Sequence, residues 1–530
     1  MNFNKKLAVA VSGAVLLMAG QVALADSATD IVDALVAKGV LTEEEGKLIT
    51  KGHTSKTKVT PVVKEKDGAF ILESANEANS IQLTGRMHLD YRNSNLDEQD
   101  LGAIRSDRDL ASLADQFELR RARLGVKGKF AKDFKYEVVG NLPGTATVDV
   151  AYFDWAKYDG FQIRGGKFKQ PFGLEELISS NNITMMERTY LDQTVPGKKI
   201  GMQIMGAPTK GLTYALSTYQ HNDNERDLYG DGELSGAGRT TFNFAESMGD
   251  KERVMHIGLA ALNSTYSISG ASSSQTSGDA SATTRATISS FRSAGRGLNN
   301  VFRGQVGTGN CNTAAAGCAS EYGAKVTQRA VGLEGIFAQG PFKVMGEFSR
   351  GQYKGESLGV NNPLSASGGT AGTVEYDTAT GYIEAGYLLT GEKYADSYKG
   401  GVFSSFKPKN NFDIDNNQWG LLELALRLES YQVDDIVMSG NGNNRVQGAL
   451  SSYSSTGNTQ TATNGSGVKA TGKTYTAGIR WILNPNLVFK ANYAHTRLGD
   501  NYNPIDTVAS TALTPINSES IFMTRMQYMF

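Results

Sequence analysis

The stretch Ile81–Arg92 reads IQLTGRMHLDYR. Ile81, Leu83, Gly85, Met87, Leu89 and Tyr91 hold the odd positions; Gln82, Thr84, Arg86, His88, Asp90 and Arg92 hold the even ones. Successive side chains of a strand point to opposite faces, so one face is apolar and the other polar and charged. The alternation runs for twelve residues, about twice the usual length of a strand in a soluble protein. A strand of that length with charge along one face suits a wall between lipid and a water-filled lumen. A soluble edge strand alternates in the same way, so the rest of the chain must decide between the two.

The ends of the chain favour the wall. Met1 to Ala25 starts with Lys5 and Lys6, runs apolar from Leu7 to Ala19 and finishes Ala23-Leu24-Ala25. That order predicts a secretory signal peptide over residues 1–25, cleaved before Asp26. Its apolar core is too short for a spanning helix, and no later stretch is long and apolar enough to replace it. At the other end, SIFMTRMQYMF places Phe522, Thr524, Met526, Tyr528 and Phe530 on one face, and Met523, Arg525, Gln527 and Met529 on the other. An alternating last strand closed by a terminal Phe resembles the C-terminal signature of bacterial outer-membrane barrels.

Composition agrees. Among 530 residues there are 60 Gly, 22 Tyr, 22 Phe and 11 Pro. The mean hydropathy of −0.32 is explained by a barrel with a wet interior. Without Lys5 and Lys6 the mature chain has 51 basic residues against 54 acidic ones, a net charge near −3. That balance argues against nucleic acid as a partner and makes any functional basic character local. Cys311 and Cys318, in NCNTAAAGCAS, suit a disulfide stapling a small loop in an exported protein; two thiols alone do not make a metal site.

Residues 26–66 read as a periplasmic extension. Asp30 caps a short helix carrying Ile31, Val32, Leu35 and Val36; Thr42 and Glu45 form a capping-box pattern ahead of a second; His53 to Lys66 is a polar linker. From residue 67 onward strand-like segments recur. They fall near 81–92, 117–129, 133–142, 147–158, 161–169, 199–206, 211–220, 239–248, 252–264, 324–338, 341–354, 376–391, 416–432, 472–483, 486–497 and 519–530. Short and long connections alternate between them, which is the outer-membrane barrel plan. The long segment 392–415 departs from it, because parity puts it on the short-turn side. Backbone polar groups in hydrocarbon need internal partners, so such a sheet closes. The prediction is an all-β chain: a closed antiparallel transmembrane β-barrel of about sixteen strands with a short N-terminal helical extension. At that size the interior is an aqueous channel.

The lumen face concentrates basic residues. In QFELRRARLGVKGK, Arg121, Arg123 and Lys127 oppose Leu124 and Val126, with Arg120 at a change of phase. Arg164, Lys167 and Lys169 follow in FQIRGGKFK, and Arg86 and Arg525 face inward on the first and last strands, which closure makes neighbours. Such a strip attracts anions and replaces part of their hydration by charge-assisted hydrogen bonds. The competing reading is cross-strand salt bridging to Asp90, Glu118, Glu137 and Asp154.

These residues are also where the chain resembles a family, the phosphate-selective porins of the O and P type. The resemblance covers nearly the whole mature barrel. It rests on the strand with Arg86, LRRARLGVKG with Arg120 and Arg121, YFDW with Asp154, GKFKQPFGLEE after Arg164, MMERTY, YLLTGE at Tyr387 to Glu392, and MTRMQYMF. It implies sixteen strands, a homotrimer with three channels, and a third long loop, Gln170 to Lys198, folded into the pore. That loop holds Phe172, Gly173, Leu174, Glu175, Glu176, Glu187 and Arg188. In the phosphate-selective members a lysine follows FGLE and helps form the central anion site; here the position is Glu176. A carboxylate there repels phosphate and favours cations or neutral solutes. The family's dense arginine run has a sparser counterpart in Arg285, Arg292, Arg296 and Arg303.

The expected function is passive diffusion of small hydrophilic solutes and ions, with an anion or phosphate preference, across the lipid of the bacterial outer membrane. The alternative is a barrel with a plugged lumen whose Ser-, Thr- and Gly-rich loops near 265–323 and 433–471 bind a surface partner. No enzymatic set is suggested: His53, His88, His221, His256 and His495 are scattered, and no cofactor, zinc-ligand or nucleotide-binding pattern occurs.

Overall fold

In the computed structural model of the chain, the residues described are 32, 35–38, 40–49, 61–66, 69–95, 116–221, 234–269, 285–298, 301–307, 323–357, 372–439, 445–447, 469–499 and 517–530. The signal-peptide segment, Cys311 and Cys318 lie outside them.

Sixteen long antiparallel strands form the wall. They are β1 (Ser80–Ser94), β2 (Gln116–Phe130), β3 (Phe134–Asn141), β4 (Thr147–Tyr158), β5 (Phe161–Lys169), β6 (Lys198–Thr209), β7 (Leu212–Gln220) and β8 (Ser235–Asn243), followed by β9 (Arg253–Ser269), β10 (Gly323–Gln339), β11 (Phe342–Ser357), β12 (Thr373–Leu388), β13 (Leu421–Ser439), β14 (Ala470–Asn484), β15 (Leu487–Leu498) and β16 (Ser518–Met529). Each pairs with the next, and β16 returns to pair with β1 from Arg86↔Met529 to Ser94↔Ile521. The cylinder therefore has no open edge. Phe530 completes the seam with two backbone bonds to Gly85, of 3.0 and 3.1 Å. A side chain at Gly85 would place its Cβ 2.4 Å from the Phe530 ring, so this glycine makes room for the terminal aromatic.

The burial pattern is that of a membrane wall turned inside out relative to a soluble sheet. On β13, Leu424, Leu426 and Leu428 are 41, 65 and 41 % exposed, whereas Glu423, Arg427 and Glu429 on the opposite face are buried. Apolar side chains meet lipid, and charged ones meet the lumen. On β1 the same parity exposes Met87 and Leu89 and turns Arg86, His88, Asp90 and Arg92 inward. Aromatic pairs gather at the short-turn end: Phe130 with Phe134, Trp155 with Phe161, Trp481 with Phe489, and Tyr528 with Phe530. Rings at this level form an interfacial belt.

N-terminal to the barrel, the Thr42–Glu45 capping box is present: Thr42 N–H donates to Glu45 Oε2 at 2.9 Å, and Glu45 N–H to Thr42 Oγ1 at 3.2 Å. The stretch read as a polar linker ends in a strand instead. Val62–Lys66 pairs with Ala69–Glu73, whose Ile71–Glu73 continues the sheet alongside Ser80–Gln82. Glu73 locks this hairpin to the wall through Lys64 and Lys129.

Among the described residues, four connections fold into the lumen, one of them adding Arg445–Gln447 as a third strand beside Phe302–Gly307, with Val446 buried. Residues 170–197, between β5 and β6, run across the interior. The hairpin of Arg285–Phe291 and Phe302–Gly307 packs Ile288, Phe291, Phe302 and Val306 against Val326, Tyr353, Tyr376 and Tyr431 of the wall. Residues 389–420, the long segment on the short-turn side, insert Tyr394, Phe403 and Phe406 against Ile336, Met345, Ile482 and Val488. The lumen beside β9–β15 is filled by these apolar contacts. Among the described residues a cavity of about 1090 Å³ stays open, bounded mainly by β1–β8 and the 170–197 loop.

Candidate functional site: the constricted lumen

The inward arginines fall into two groups. Arg525 is fully buried and holds Asp90 through two bonds of 2.6 and 2.7 Å, together with Met186 O at 2.7 Å and Glu187 at 3.2 Å. Arg92 adds contacts to Asp90 at 2.9 Å and Glu187 at 2.6 Å, and Arg120 reaches Glu187 at 3.3 Å. Burial raises the Glu187 carboxyl, yet Arg120, Arg92 and Arg525 outweigh it and hold the group well below the usual carboxylate range. For Arg525 the cross-strand pair to Asp90 is present, whereas Arg120 pairs with Glu187 of the loop; both fasten the loop to the wall and lie outside the cavity lining. Closure does pair the first and last strands, but in a register that sets Arg525 opposite Asp90 and Arg86 opposite Met529.

The second group faces the cavity. Arg86 and Arg123 stand directly opposite each other on β1 and β2, and His88 stands opposite Arg121. A bulge opposite the His88–Leu89 step absorbs Arg120 as the extra residue, which is the change of phase seen in the sequence. Arg86 Nη1 donates to Ser180 Oγ at 3.0 Å. Arg123 meets Asp149 at 2.8 Å, a carboxylate shared with Lys198 at 2.5 Å. Arg121 has Nε and Nη1 buried with no hydrogen-bond partner. Like charges facing across a ladder destabilise it, so these cations are held at a cost that an anion between them would relieve.

Arg164 lines the cavity but is clamped. It forms a fork with Asp154 at 2.7 and 2.8 Å and lies 3.9 Å over the Tyr152 ring. Asp154 thus serves as its anchor. Lys169 donates to the carbonyls of Glu176 and Ile178. Lys167, expected in the basic strip, shares register with Ala151 and Ile200 on the outer face, because the strand keeps its alternation through Gly165-Gly166 with no register shift and Lys167 is an odd step from the inward Arg164.

The 170–197 loop is built around buried side chains. Gly173 takes φ 84°, which turns the chain into the short helix Leu174–Leu177. Glu347 on β11 accepts the N–H groups of Leu174 and Glu175 at 2.6 and 2.7 Å. Glu175 accepts from Thr189 N–H at 2.8 Å and pairs with Arg427 at 3.1 Å. Phe172 packs among Tyr219, Ala260 and Ala330, and Leu174 among Ile336 and Met345. Of the seven loop residues singled out by the sequence, Glu176 and Arg188 reach the cavity lining. Their side chains meet at 2.5 Å, and Arg188 Nε lies 3.6 Å from Asp192. Burial raises the Asp192 carboxyl well above the ordinary range, against the pull of Arg188. Arg188 and Lys169, together with a hydrogen bond from Asp192, hold Glu176 low despite its burial. The carboxylate at the family's lysine position is therefore neutralised by its own loop.

In all, nine basic side chains line the cavity against five acidic ones, so its wall carries an excess of cations. Asp149 and Lys198 escaped the sequence reading because each lies near a strand end, where alternation does not yet fix the face. Glu423, Arg427 and Glu429 lie within the segment read as a strand near 416–432, but the sequence reading singled out none of them. Among Arg292, Arg296 and Arg303, none lines the cavity; the Arg285 side chain is outside the described residues.

Porin O of Pseudomonas aeruginosa is 25% identical to this chain over 483 residues, covering 88% of this chain and 92% of Porin O. A loop-deletion mutant of OmpT, an outer membrane protein of Vibrio cholerae, shares 9% identity over 86% of this chain and 100% of its own, with a TM-score of 0.46. An anion-selective porin from Comamonas acidovorans shares 10% identity over 85% of this chain and 100% of its own, with a TM-score of 0.43. The family described as phosphate-selective porin O and P matches residues 81–530. A closed sixteen-stranded wall, a loop folded across its lumen and that match over the whole barrel lead to one conclusion: the chain belongs to the phosphate-selective porin O and P family and is a porin of the bacterial outer membrane.

Proposed function

We propose that the channel works as a homotrimer in outer-membrane lipid and conducts small anions, phosphate among them, in preference to cations, by diffusion and without catalysis. The observation that carries this reading is the Arg86, Arg121 and Arg123 group facing the cavity, with Arg86 opposite Arg123 and part of the Arg121 guanidinium unpartnered. Solutes enter between the outer loops and pass the 170–197 loop. They exchange part of their water for these guanidinium groups, and leave past Asp159 and Lys210 toward the periplasm. Glu176 does not reverse the preference, because Arg188 neutralises it at 2.5 Å.

The test is ion selectivity of the purified protein in a planar bilayer under a potassium chloride gradient, with phosphate added as a blocker of chloride current. The expected reversal potential has the anion-selective sign, and phosphate reduces the current. A cation-selective reversal potential would remove the arginine path.

A further inference from the structure

The cavity is not uniform along its length. Its outer part is cationic, with Arg86, Arg121, Arg123, Arg188 and Lys198. Toward the periplasm the lining changes to Val139, Tyr152, Met205, Ala207, Ala215 and Val402, interspersed with Gln162, Gln203 and Thr213. Of the charges in this inner part, three are occupied, and the others, Asp159, Lys210 and Glu246, come from the short turns at its mouth. Arg164 is held by Asp154, Glu137 accepts from the Tyr152 hydroxyl at 2.6 Å, and Arg239 is bound to Glu334 and Gly401 O. Val402 comes from the 389–420 insert, which therefore supplies apolar surface to the channel as well as filling the opposite side.

A hydrated inorganic anion has no use for such a wall. Apolar lining in a water-filled passage lowers the free energy of a solute only if the solute has apolar surface to lay against it. The volume points the same way: about 1090 Å³ is at the upper end of what drug-sized ligands occupy, far beyond a phosphate ion. We infer that the channel recognises small organic anions with an apolar body, aromatic carboxylates in particular. Their carboxylate meets Arg86 and Arg123, and their ring lies along Tyr152, Met205 and Val402. This rests on the anion-channel reading above and names its solute class.

The experiment measures block of chloride current through the full-length protein in planar bilayers by benzoate, acetate and inorganic phosphate. Benzoate is expected to half-block at about one-tenth of the acetate concentration, since only its ring differs. Met205→Gln and Val402→Ser are expected to bring the benzoate-to-acetate ratio toward one. That ratio is internally controlled, because both ions are read in the same folded channel. Equal block by benzoate and acetate in the unaltered protein overturns the inference while leaving an anion-selective channel in place. A benzoate advantage that survives both substitutions also overturns it, because the ring then binds elsewhere. A cation-selective reversal potential with no block by any of the three would overturn the anion reading itself.

Discussion

Two substitutions of the same chemistry separate the two groups of lumen arginines: Arg86→Gln and Arg525→Gln. Arg86 makes its hydrogen bond to a neutral hydroxyl, Ser180 Oγ at 3.0 Å, and faces Arg123 across the ladder. Its removal costs little stability and relieves a like-charge contact. A unit charge about 4 Å from a passing ion is worth about 1 kcal/mol in bulk water and about 4 kcal/mol at the effective dielectric near a protein surface. A wide wet lumen lies toward the first figure. About 1–2 kcal/mol lost by an anion is gained by a cation, so the anion-to-cation permeability ratio is expected to fall on the order of thirtyfold or more. Arg525 differs in every respect. It is fully buried and satisfies Asp90 twice. Removing one partner of a buried ion pair costs about 3–5 kcal/mol, because the remaining charge is left without compensation. The expected loss is in stability, read as a lower temperature for conversion of the folded barrel to the unfolded form on denaturing gels. Reversal potential and gel stability measured on both variants decide the matter. The reasoning fails if Arg525→Gln shifts selectivity as much as Arg86→Gln, or if Arg86→Gln leaves the reversal potential where it was.

Further outcomes follow from the loop and the seam. Asp192 has a raised pKa, so it is protonated below that value, where Arg188 and Glu176 cancel; above it, ionised Asp192 adds one negative charge. Anion preference should therefore decline as pH rises through the Asp192 titration, and Asp192→Asn should abolish that pH dependence in reversal-potential measurements. Glu176→Lys should strengthen the anion preference by replacing the partner of Arg188 with a second cation in the cavity lining; an unchanged reversal potential would place residue 176 away from the ion path. Glu347→Ala removes the acceptor of two loop amides at 2.6 and 2.7 Å. At about 1.5–3 kcal/mol per charged hydrogen bond, hydrogen exchange at Leu174 and Glu175 should accelerate on the order of a hundredfold, with a noisier open-channel current. Gly85→Ala places a Cβ 2.4 Å from the Phe530 ring and should lower the thermal stability of the barrel; an unaltered transition would mean that Phe530 has another seat.

Much of the wall was legible because lipid enforces a period of two on every strand. The sixteen segments read from alternation each overlap one of β1–β16, with 239–248 running past the strand Ser235–Asn243 into the helical turn Phe244–Ser247 and 416–432 set early against Leu421–Ser439, and the phase change at Arg120 is a bulge. The closing register was not legible. Alternation fixes which face a residue takes, but not its height, and the bonds between Phe530 and Gly85 set Arg525 against Asp90 rather than beside Arg86. Lys167 was misplaced for a different reason: the Gly165-Gly166 pair does not break the alternation, so Lys167, an odd step from the inward Arg164, faces out. The roles of individual charges were hidden further still. Whether an inward arginine meets solute or protein depends on where the 170–197 loop comes to lie, and its anchors, Glu347, Arg427 and Glu429, are more than 150 residues away in the chain.

The location of those anchors explains how a chain with a net charge of −1 encloses a cationic passage. The carboxylates of the β11–β13 wall are turned against the inserts: Glu347 accepts Leu174 and Glu175 amides, Glu429 accepts Tyr190 N–H at 2.9 Å, and Glu423 holds Arg480 at 2.5 Å and the Tyr394 hydroxyl at 2.5 Å. Acids buried in this way are turned toward the inserts, each with a donor within bonding distance. Across the loop, the β1 and β2 wall keeps Arg86 and Arg121 without a bonded carboxylate among the described residues. The folded loop therefore divides the lumen charge as well as its volume, leaving nine basic side chains against five acidic ones on the cavity side. Selectivity in such a barrel depends on which charges the inserts cover, and a count of residues over the whole chain carries no information about it.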